Sequence, residues 1–190
     1  MNIVNVGYDS TNYYMLADTT PRLLIDIGWP GTLPKLQHQC KRMSIELSAI
    51  KHMLATHYHP DHAGLVQELK QLGTKLIVTE TQVSSVPELR KVMKPENHYV
   101  EIDLSDAITL KLEDSRSFLG EIGIQGEIIA TPGHSDDSVT LVLDDGAAFT
   151  GDLTHPMMTD NATVLASWEK IRALGVKTIY PGHGPIWELK

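Results

Sequence analysis

Cysteine is almost absent from this sequence. Cys40 is the single cysteine, which excludes a disulfide within the chain and is typical of proteins in reducing compartments. No apolar run approaches the roughly 20 residues that span a bilayer. The opening stretch MNIVNVGYDSTNYY lacks the basic and apolar regions of a secretory signal. We therefore expect a cytoplasmic protein that has no membrane partner.

Positive charge is also scarce. Lys and Arg number 16 against 24 Asp and Glu, which gives a formal net charge of −8. This charge disfavours nonspecific contact with nucleic acid, and the sequence has no Lys/Arg-rich run interleaved with aromatic residues. A small-molecule substrate is therefore the expected partner, and nucleic acid is not. The sequence does not indicate an oligomeric state.

The pattern of apolar residues predicts an α/β fold in one domain, residues 1–190. Short apolar runs between turn residues predict strands near 2–6, 12–18, 22–28, 49–55, 75–79, 98–102, 108–112, 124–131, 138–143 and 147–150, and a last strand and loop at 178–185. Spacings of three and four predict helices near 32–43 and 65–73, a short helix with Ser85 as its N-cap, and a helix capped by Asp160. This order predicts two sheets with helices outside them, in halves that meet near residues 95–97.

The segment ATHYHPDHAGL (55–65) contains three histidines and an aspartate at the spacing H-x-H-x-D-H. Pro60 favours an extended backbone at His59, so the His57 and His59 side chains point the same way and can contact one cation. Asp61 and His62 are adjacent and can project toward a second ion. A group of unrelated surface histidines is the alternative interpretation, but this spacing rarely arises by chance.

Three later segments each place a metal-ligand residue type beside a glycine. TPGHSDDS contains His134, FTGDLTHP contains Asp152 and YPGHGP contains His183. Glycine permits a positive φ and lets the chain turn sharply at the end of a strand. Alone, each segment is typical of an ordinary turn. Together with the histidine cluster they supply nitrogen and oxygen ligands without thiolate, a set that suits zinc and is acceptable to iron or manganese.

These segments resemble the motifs of the metallo-β-lactamase-fold hydrolases, in order and over nearly the whole chain. LLIDIG resembles the first motif, THYHPDHAG the second, TPGHSDDS the third, TGDL the fourth and YPGHG the last. The resemblance implies an αββα four-layer sandwich with a dinuclear site at one edge of the two sheets, and a ligand set like that of glyoxalase II. It assigns the first metal to His57, His59 and His134, the second to Asp61, His62 and His183, and the bridging position to Asp152.

The same resemblance implies the chemistry. Two Zn²⁺ ions at this site would leave a local positive charge that favours an anionic transition state and a water ionised near neutral pH. The expected reaction is hydrolysis by a metal-bridging hydroxide, with Asp61 as the residue that orients it. Asp26 of the first motif is expected to hold a ligand loop in place. A carboxylate that only stabilises its own turn is an equally open interpretation of Asp26.

Four residues next to the motifs are candidates for the substrate pocket: Tyr58, His155, Met157 and Met158. Tyr58 and His155 are also candidates for protonating the leaving group, although packing is the more common role of such neighbours. Met157 and Met158 have side chains that adapt to the shape of a ligand. They fit the beginning of the next core segment equally well.

The resemblance also narrows the substrate class. An Asp at position 152 resembles the thioesterase, lactonase and nuclease branches, whereas β-lactamases have Cys or Ser there. Nuclease branches carry inserted domains or basic patches, and glyoxalase-type enzymes carry an added helical domain, for which a chain ending at Lys190 leaves no room. We therefore expect a shallow pocket and a small ester, thioester or lactone. An iron-dependent persulfide dioxygenase with one metal, a metal-dependent phosphodiesterase or nuclease, and a non-catalytic metal-binding protein are the open alternatives.

Overall fold

The computed structural model describes residues 1–18 and 20–190, and within these residues eleven strands form the centre of the molecule. The strands are β1 (Asn2–Asn5), β2 (Tyr14–Ala17), β3 (Pro21–Ile25), β4 (His52–Leu54), β5 (Lys75–Thr79), β6 (Ile108–Leu110), β7 (Gly126–Ala130), β8 (Val139–Leu143), β9 (Ala147–Gly151), β10 (Thr178–Pro181) and β11 (Trp187–Glu188).

These strands form two mixed sheets. The first sheet has the order β1-β2-β3-β4-β5-β6, in which β1 to β3 are antiparallel and β3 to β6 are parallel. The second has the order β11-β10-β9-β8-β7, in which only β9 and β10 are parallel neighbours. Because β8 is antiparallel to both β7 and β9, strands β7, β9 and β10 all run in one direction and end at the same edge.

The helices are α1 (Leu33–Arg42), α2 (Pro60–Ala63), α3 (Val66–Gln71), α4 (Leu89–Val92), α5 (Ser115–Glu121) and α6 (Ala162–Ala173), joined in places by short 3₁₀ turns. Helices α1 and α3 pack on the outer face of the first sheet and α6 on that of the second, whereas α5 buries Leu119 in the cluster between the two sheets. Helix α1 has Pro34 in its first turn, where the missing N–H costs nothing. None of the described helices is long and apolar enough to cross a membrane.

Alternation along the strands divides the apolar side chains among three layers. In β3, Leu24 packs with Leu36 of α1 and Val66 of α3, whereas Leu23 and Ile25 lie between the two sheets. On the outer face of the second sheet, a third cluster includes Ala148 of β9 and Trp168 of α6. The predicted αββα arrangement is therefore confirmed.

The boundary between the halves differs from the prediction of residues 95–97. Strand β6 still belongs to the first sheet, where it pairs in parallel with β5, and the second sheet begins only at Gly126. The predicted strand at 98–102 is also wrong. His98 has a left-handed backbone (φ 53°) directly after the 3₁₀ turn Pro95–Asn97, which ends any extended run there.

Helix α5 and the helix caps are further differences. The sequence analysis predicts no helix between residues 112 and 124, because a seven-residue helix with one buried turn shows little periodicity. Helix α6 is capped by Asn161 instead of Asp160: the Asn161 side chain accepts the backbone N–H of Thr163 at 2.9 Å. Ser85 makes no side-chain capping bond to the short 3₁₀ turn Val86–Glu88 that precedes α4.

Candidate metal site

The predicted metal-ligand residues follow four strand ends at one edge of the sandwich. His57 comes after β4 in the first sheet, and His134, Asp152 and His183 come after β7, β9 and β10 in the second. The sheets are joined here by a backbone hydrogen bond from Val139 to the carbonyl of Thr56, 2.8 Å long. The structure therefore brings together residues that lie up to 126 positions apart in the sequence.

Three overlapping groups of side chains have the spacing of metal ligands. Within each group, one nitrogen or oxygen per residue lies within 4.8 Å of the others; the groups are His57, His59 and His134; His57, His62 and Asp152; and Asp61, His62 and His183. The first and third groups have the membership that the sequence analysis predicts for the two metals. Ligand atoms about 2.1 Å from one tetrahedral ion lie about 3.4 Å apart. The pairs His134 Nε2–His59 Nδ1 (3.0 Å) and His183 Nε2–Asp61 Oδ2 (3.2 Å) are close to that separation.

Asp152 lies between these groups. Its Oδ2 is 3.6 Å from His134 Nε2 and 3.4 Å from His183 Nε2, and its Oδ1 is 3.2 Å from His62 Nε2. One carboxylate thus faces ring nitrogens of both predicted metal groups.

Buried polar atoms without partners mark the centre of the cluster. His57 Nε2, His62 Nε2 and Asp152 Oδ1 are inaccessible to solvent and make no hydrogen bond with any described residue. A buried polar atom without a partner is costly, by roughly 1–3 kcal/mol. A metal ion is the natural partner for a carboxylate oxygen and imidazole nitrogens that converge in this way. The residues therefore fit the metal that the resemblance implies.

Hydrogen bonds at the far side of three imidazoles aim their Nε2 atoms inward. His62 Nδ1 donates to Asp26 at 2.9 Å, and His183 Nδ1 donates to the backbone carbonyl of Ser10 at 2.7 Å. The Thr56 hydroxyl donates its proton to Asp26, so its oxygen accepts from His57 Nδ1 at 3.1 Å. Bonds of this kind select the tautomer that leaves Nε2 free to bind a metal. Asp26 lies where the sequence analysis places it, behind the ligands.

The loop between β1 and β2 holds the last ligand segment in place, which the sequence analysis did not predict. Asn12 donates from its side chain to the carbonyls of Pro181 and Gly184, and Tyr14 donates its hydroxyl to Pro181. The Thr11 hydroxyl donates to Asp61 Oδ2 at 3.0 Å. No signal in the sequence could reveal these contacts, because they join residues 50 to 172 positions apart.

Asp137 is a second supporting carboxylate that the sequence analysis missed. It is buried and accepts the backbone N–H of Tyr58 at 2.8 Å, between the ligands His57 and His59. Its position in TPGHSDDS, three residues after His134, was the available signal. The bond ties the third motif to the second.

Charges in the cluster favour a cation. Burial and the neighbouring His62 ring lower the pKa of His57 well below its usual value. Burial alone would lower the pKa of His62 too, but the Asp26 carboxylate raises it well above the usual range. Burial raises the pKa of the Asp61 and Asp152 carboxyls, but the neighbouring His62 imidazole outweighs it and leaves both below their usual range. The carboxylates thus stabilise positive charge at the centre of the cluster.

Known proteins are similar to this chain in sequence and in fold. The chain matches the Metallo-beta-lactamase superfamily over residues 6–183. It belongs to that superfamily.

Relatives within the metallo-beta-lactamase superfamily are mostly longer proteins. The Beta-lactamase-like protein 2 homolog of Drosophila melanogaster is 30% identical over 183 residues, which cover 94% of this chain and 60% of that protein. The Atrochrysone carboxyl ACP thioesterase of Aspergillus fumigatus is also 30% identical over 183 residues, which cover 93% of this chain and 38% of that protein. Among solved structures, the B3 metallo-beta-lactamase BLEG-1 has the same fold, with a TM-score of 0.74, 23% identity, and coverage of 98% of this chain and 93% of that chain.

A cavity of about 580 Å³ opens beside the ligands of this superfamily member. Its volume lies within the range of small-molecule sites in proteins. His155 and Met158 line it, as the sequence analysis expects for pocket residues, and Trp187, which the sequence analysis missed, forms another wall.

Two of the four predicted pocket residues are not in this cavity. The Tyr58 ring is buried in the apolar layer between α1 and the first sheet, because Tyr58 alternates with the inward-facing His57 and His59. Met157 is 89% exposed and does not line the cavity, whereas its neighbour Met158, which is 80% exposed, does.

Proposed function

We propose that this metallo-beta-lactamase superfamily member is a metal-dependent hydrolase that binds two Zn²⁺ ions and cleaves a small ester, thioester or lactone. The observation that carries the proposal is the position of Asp152, whose oxygens face His134 of one predicted metal group and His62 of the other. Bound divalent ions supply Lewis-acid chemistry and a water that ionises near neutral pH. Iron or manganese would suit the same donors.

The residues of the candidate site would have separate roles in binding metal and orienting water. His57, His59 and His134 would hold one ion, Asp61, His62 and His183 the other, and Asp152 would contact both. The Thr11 hydroxyl fixes the carboxylate of Asp61, which can then accept a hydrogen bond from the attacking water and orient it. Asp26 fixes the Nδ1 proton of His62 directly and that of His57 through Thr56, so that their Nε2 atoms face the place where a metal would bind.

Carbonyl substrates are favoured over phosphodiesters by the charge of the cavity. No Lys or Arg lines it in the part of the chain that the structure describes. Proteins that bind nucleic-acid backbones depend on such cations. That one relative is named a thioesterase supports a thioester among the three carbonyl classes.

Metal analysis combined with a substrate panel tests the proposal. Protein purified without added metal is expected to contain about two zinc ions per chain, and to hydrolyse members of a panel of esters, thioesters and lactones. A chelator should abolish this activity and added zinc should restore it. One iron per chain with sulfite formation from a persulfide would replace hydrolysis by dioxygenation. Full metal content without turnover on any substrate would indicate a non-catalytic protein.

A further inference from the structure

The cavity beside the metal-ligand groups has a polar end and an apolar end. His134, Asp152 and His183 belong both to its walls and to the metal-ligand groups. The remaining walls include Leu153, Met158, Pro181, Pro185 and Trp187, all of which are apolar. A molecule that fills this cavity therefore places one end at the reacting groups and the rest against hydrocarbon and aromatic surface.

Trp187 forms a fixed part of the apolar end. Strand β11 pairs with β10, with Trp187 opposite Ile179. The Trp187 ring lies 5.5 Å from the ring of Trp168, which is fully buried and donates its indole N–H to the carbonyl of Thr154. It also lies 4.5 Å from the ring of His155, with the two ring planes tilted by 46°. The indole is thus held by contacts with two other rings and offers a preformed apolar wall.

The charge of the same walls excludes one kind of ligand. Among the described residues, no Lys or Arg lines the cavity, and the carboxylate of Asp152 lies at its polar end. A second anionic group at the apolar end of a substrate would lose its hydration and meet only the imidazole of His155, with no Lys or Arg among the described lining residues, which is unfavourable.

We infer that the substrate is an ester or thioester whose acyl group is uncharged and apolar, and that this acyl group binds against Trp187 and Met158. The inference rests on the proposed function and narrows its substrate class. Trp187 and Met158 then determine specificity by the apolar area that they cover, while the residues of the metal groups act at the carbonyl.

A series of thioesters of one small thiol tests the inference on the metal-loaded protein. We expect kcat/KM for N-acetylcysteamine thioesters to rise from acetyl through butanoyl and hexanoyl to octanoyl, by about fourfold for each methylene until the cavity is filled. The succinyl thioester matches the butanoyl one in chain length but ends in a carboxylate, and it should react at least about tenfold more slowly. Equal rates along the series, or a faster succinyl thioester, would overturn the inference.

Two variants test whether Trp187 and Met158 cause the dependence of kcat/KM on acyl chain length. Trp187→Ala should lower the ratio of octanoyl to acetyl kcat/KM by about tenfold or more, mainly through a higher KM for the octanoyl thioester. Met158→Ala removes an exposed side chain and does not threaten folding; it should lower the same ratio by about threefold. Met157→Ala is the matched control, since Met157 lies outside the cavity, and it should leave the ratio unchanged. An equal effect of Met157→Ala and Met158→Ala would place the acyl group elsewhere.

A binding measurement separates this inference from the proposed function. The metal-free protein can be titrated with 2-octanone and with 7-oxooctanoate, its counterpart with a terminal carboxylate, while the indole N–H resonances are followed. We expect 2-octanone to shift the resonance that Trp187→Phe removes, and 7-oxooctanoate to leave it in place. If no ester or thioester is hydrolysed, the proposed function fails, and this titration alone decides whether the apolar site exists. A shift with both ligands or with neither would contradict the inference.

Discussion

A single buried carboxylate, Asp26, supports two of the predicted metal-ligand histidines. It accepts the Thr56 backbone N–H at 2.7 Å, the Thr56 hydroxyl and His62 Nδ1, so both His57 and His62 depend on it. Its backbone lies in the left-handed region (φ 60°), which aspartate and asparagine tolerate better than most residues. An Asn at this position can therefore keep the backbone while it changes the hydrogen bonding.

Asp26→Asn should weaken metal binding without unfolding the protein. The amide nitrogen would donate to His62 Nδ1, which moves the imidazole proton to Nε2 and removes the ligand atom. We expect a loss of roughly 10- to 100-fold in zinc affinity, measured by competition with a chromophoric chelator, and an unchanged circular dichroism spectrum. Asp9→Asn is the control, because exposed Asp9 is also left-handed (φ 56°). An unchanged zinc affinity in Asp26→Asn would show that Asp26 does not orient the histidines for metal binding.

Asp152→Ala should lower the metal content from about two ions to about one. Two dications at the separation of ~3.5–4 Å typical of two-metal sites repel strongly, and the carboxylate between them offsets that repulsion. We expect the variant to fold and to lose on the order of a hundredfold or more in hydrolysis rate. Asp160→Ala, at an exposed position, should change neither quantity. Two metals and a near-normal rate in Asp152→Ala would disprove the shared-ligand role.

Helix α6 supports the segment that carries His134. Its first turn packs against Gly133, where a Cβ would lie 2.6 Å from Val164 Cγ2, and the Ser167 hydroxyl donates to the carbonyl of Pro132. The start of the helix is therefore coupled to the metal site, and its cap contributes to both stability and position.

Asn161→Ala should destabilise the protein, and Asp160→Ala should not. The Asn161 side chain satisfies N–H groups at the beginning of α6, and replacing such a cap by Ala costs about 1 kcal/mol of unfolding free energy. Urea denaturation followed by circular dichroism measures the difference. A larger loss of unfolding free energy in Asp160→Ala than in Asn161→Ala would show that Asp160 caps α6, as the sequence indicates.

At the scale of the whole molecule, the packing of α1 against the first sheet buries Cys40. Cys40 lies on α1 in the apolar layer against the first sheet, where burial raises the pKa of its thiol from the ordinary 9.0 to about 11. The folded state therefore favours the thiol. The stability that this preference contributes is complete below the unfolded pKa and is lost as the pH rises through about 11.

Alkylation of Cys40 should report global unfolding. At pH 8 the folded protein holds roughly a hundredth of the thiolate of an ordinary cysteine, and the thiolate is the reactive form. Labelling by iodoacetamide, followed by mass spectrometry, should be slow in native buffer and fast in denaturant. The denaturant concentration at which labelling becomes fast should match the midpoint of unfolding measured by circular dichroism. Rapid labelling in native buffer would show that the layer between α1 and the first sheet opens locally.

The sequence by itself determined the ligand types, their order and the αββα fold. Ligand chemistry resides in the side chains, the H-x-H spacing acts over a few residues, and strand and helix periodicities are local as well. The resemblance to a known family, and no local pattern, assigned Asp152 to the bridging position, and the structure places it between the two predicted metal groups. Tertiary structure alone decided that the Ser10 carbonyl orients His183, and that Trp187 lines the cavity beside the predicted ligands. Ser10 and His183 are 173 residues apart, and contacts at such separation depend on how sheets pair and pack, which no local pattern encodes. The same reason explains why β6 joined the first sheet beyond the predicted boundary.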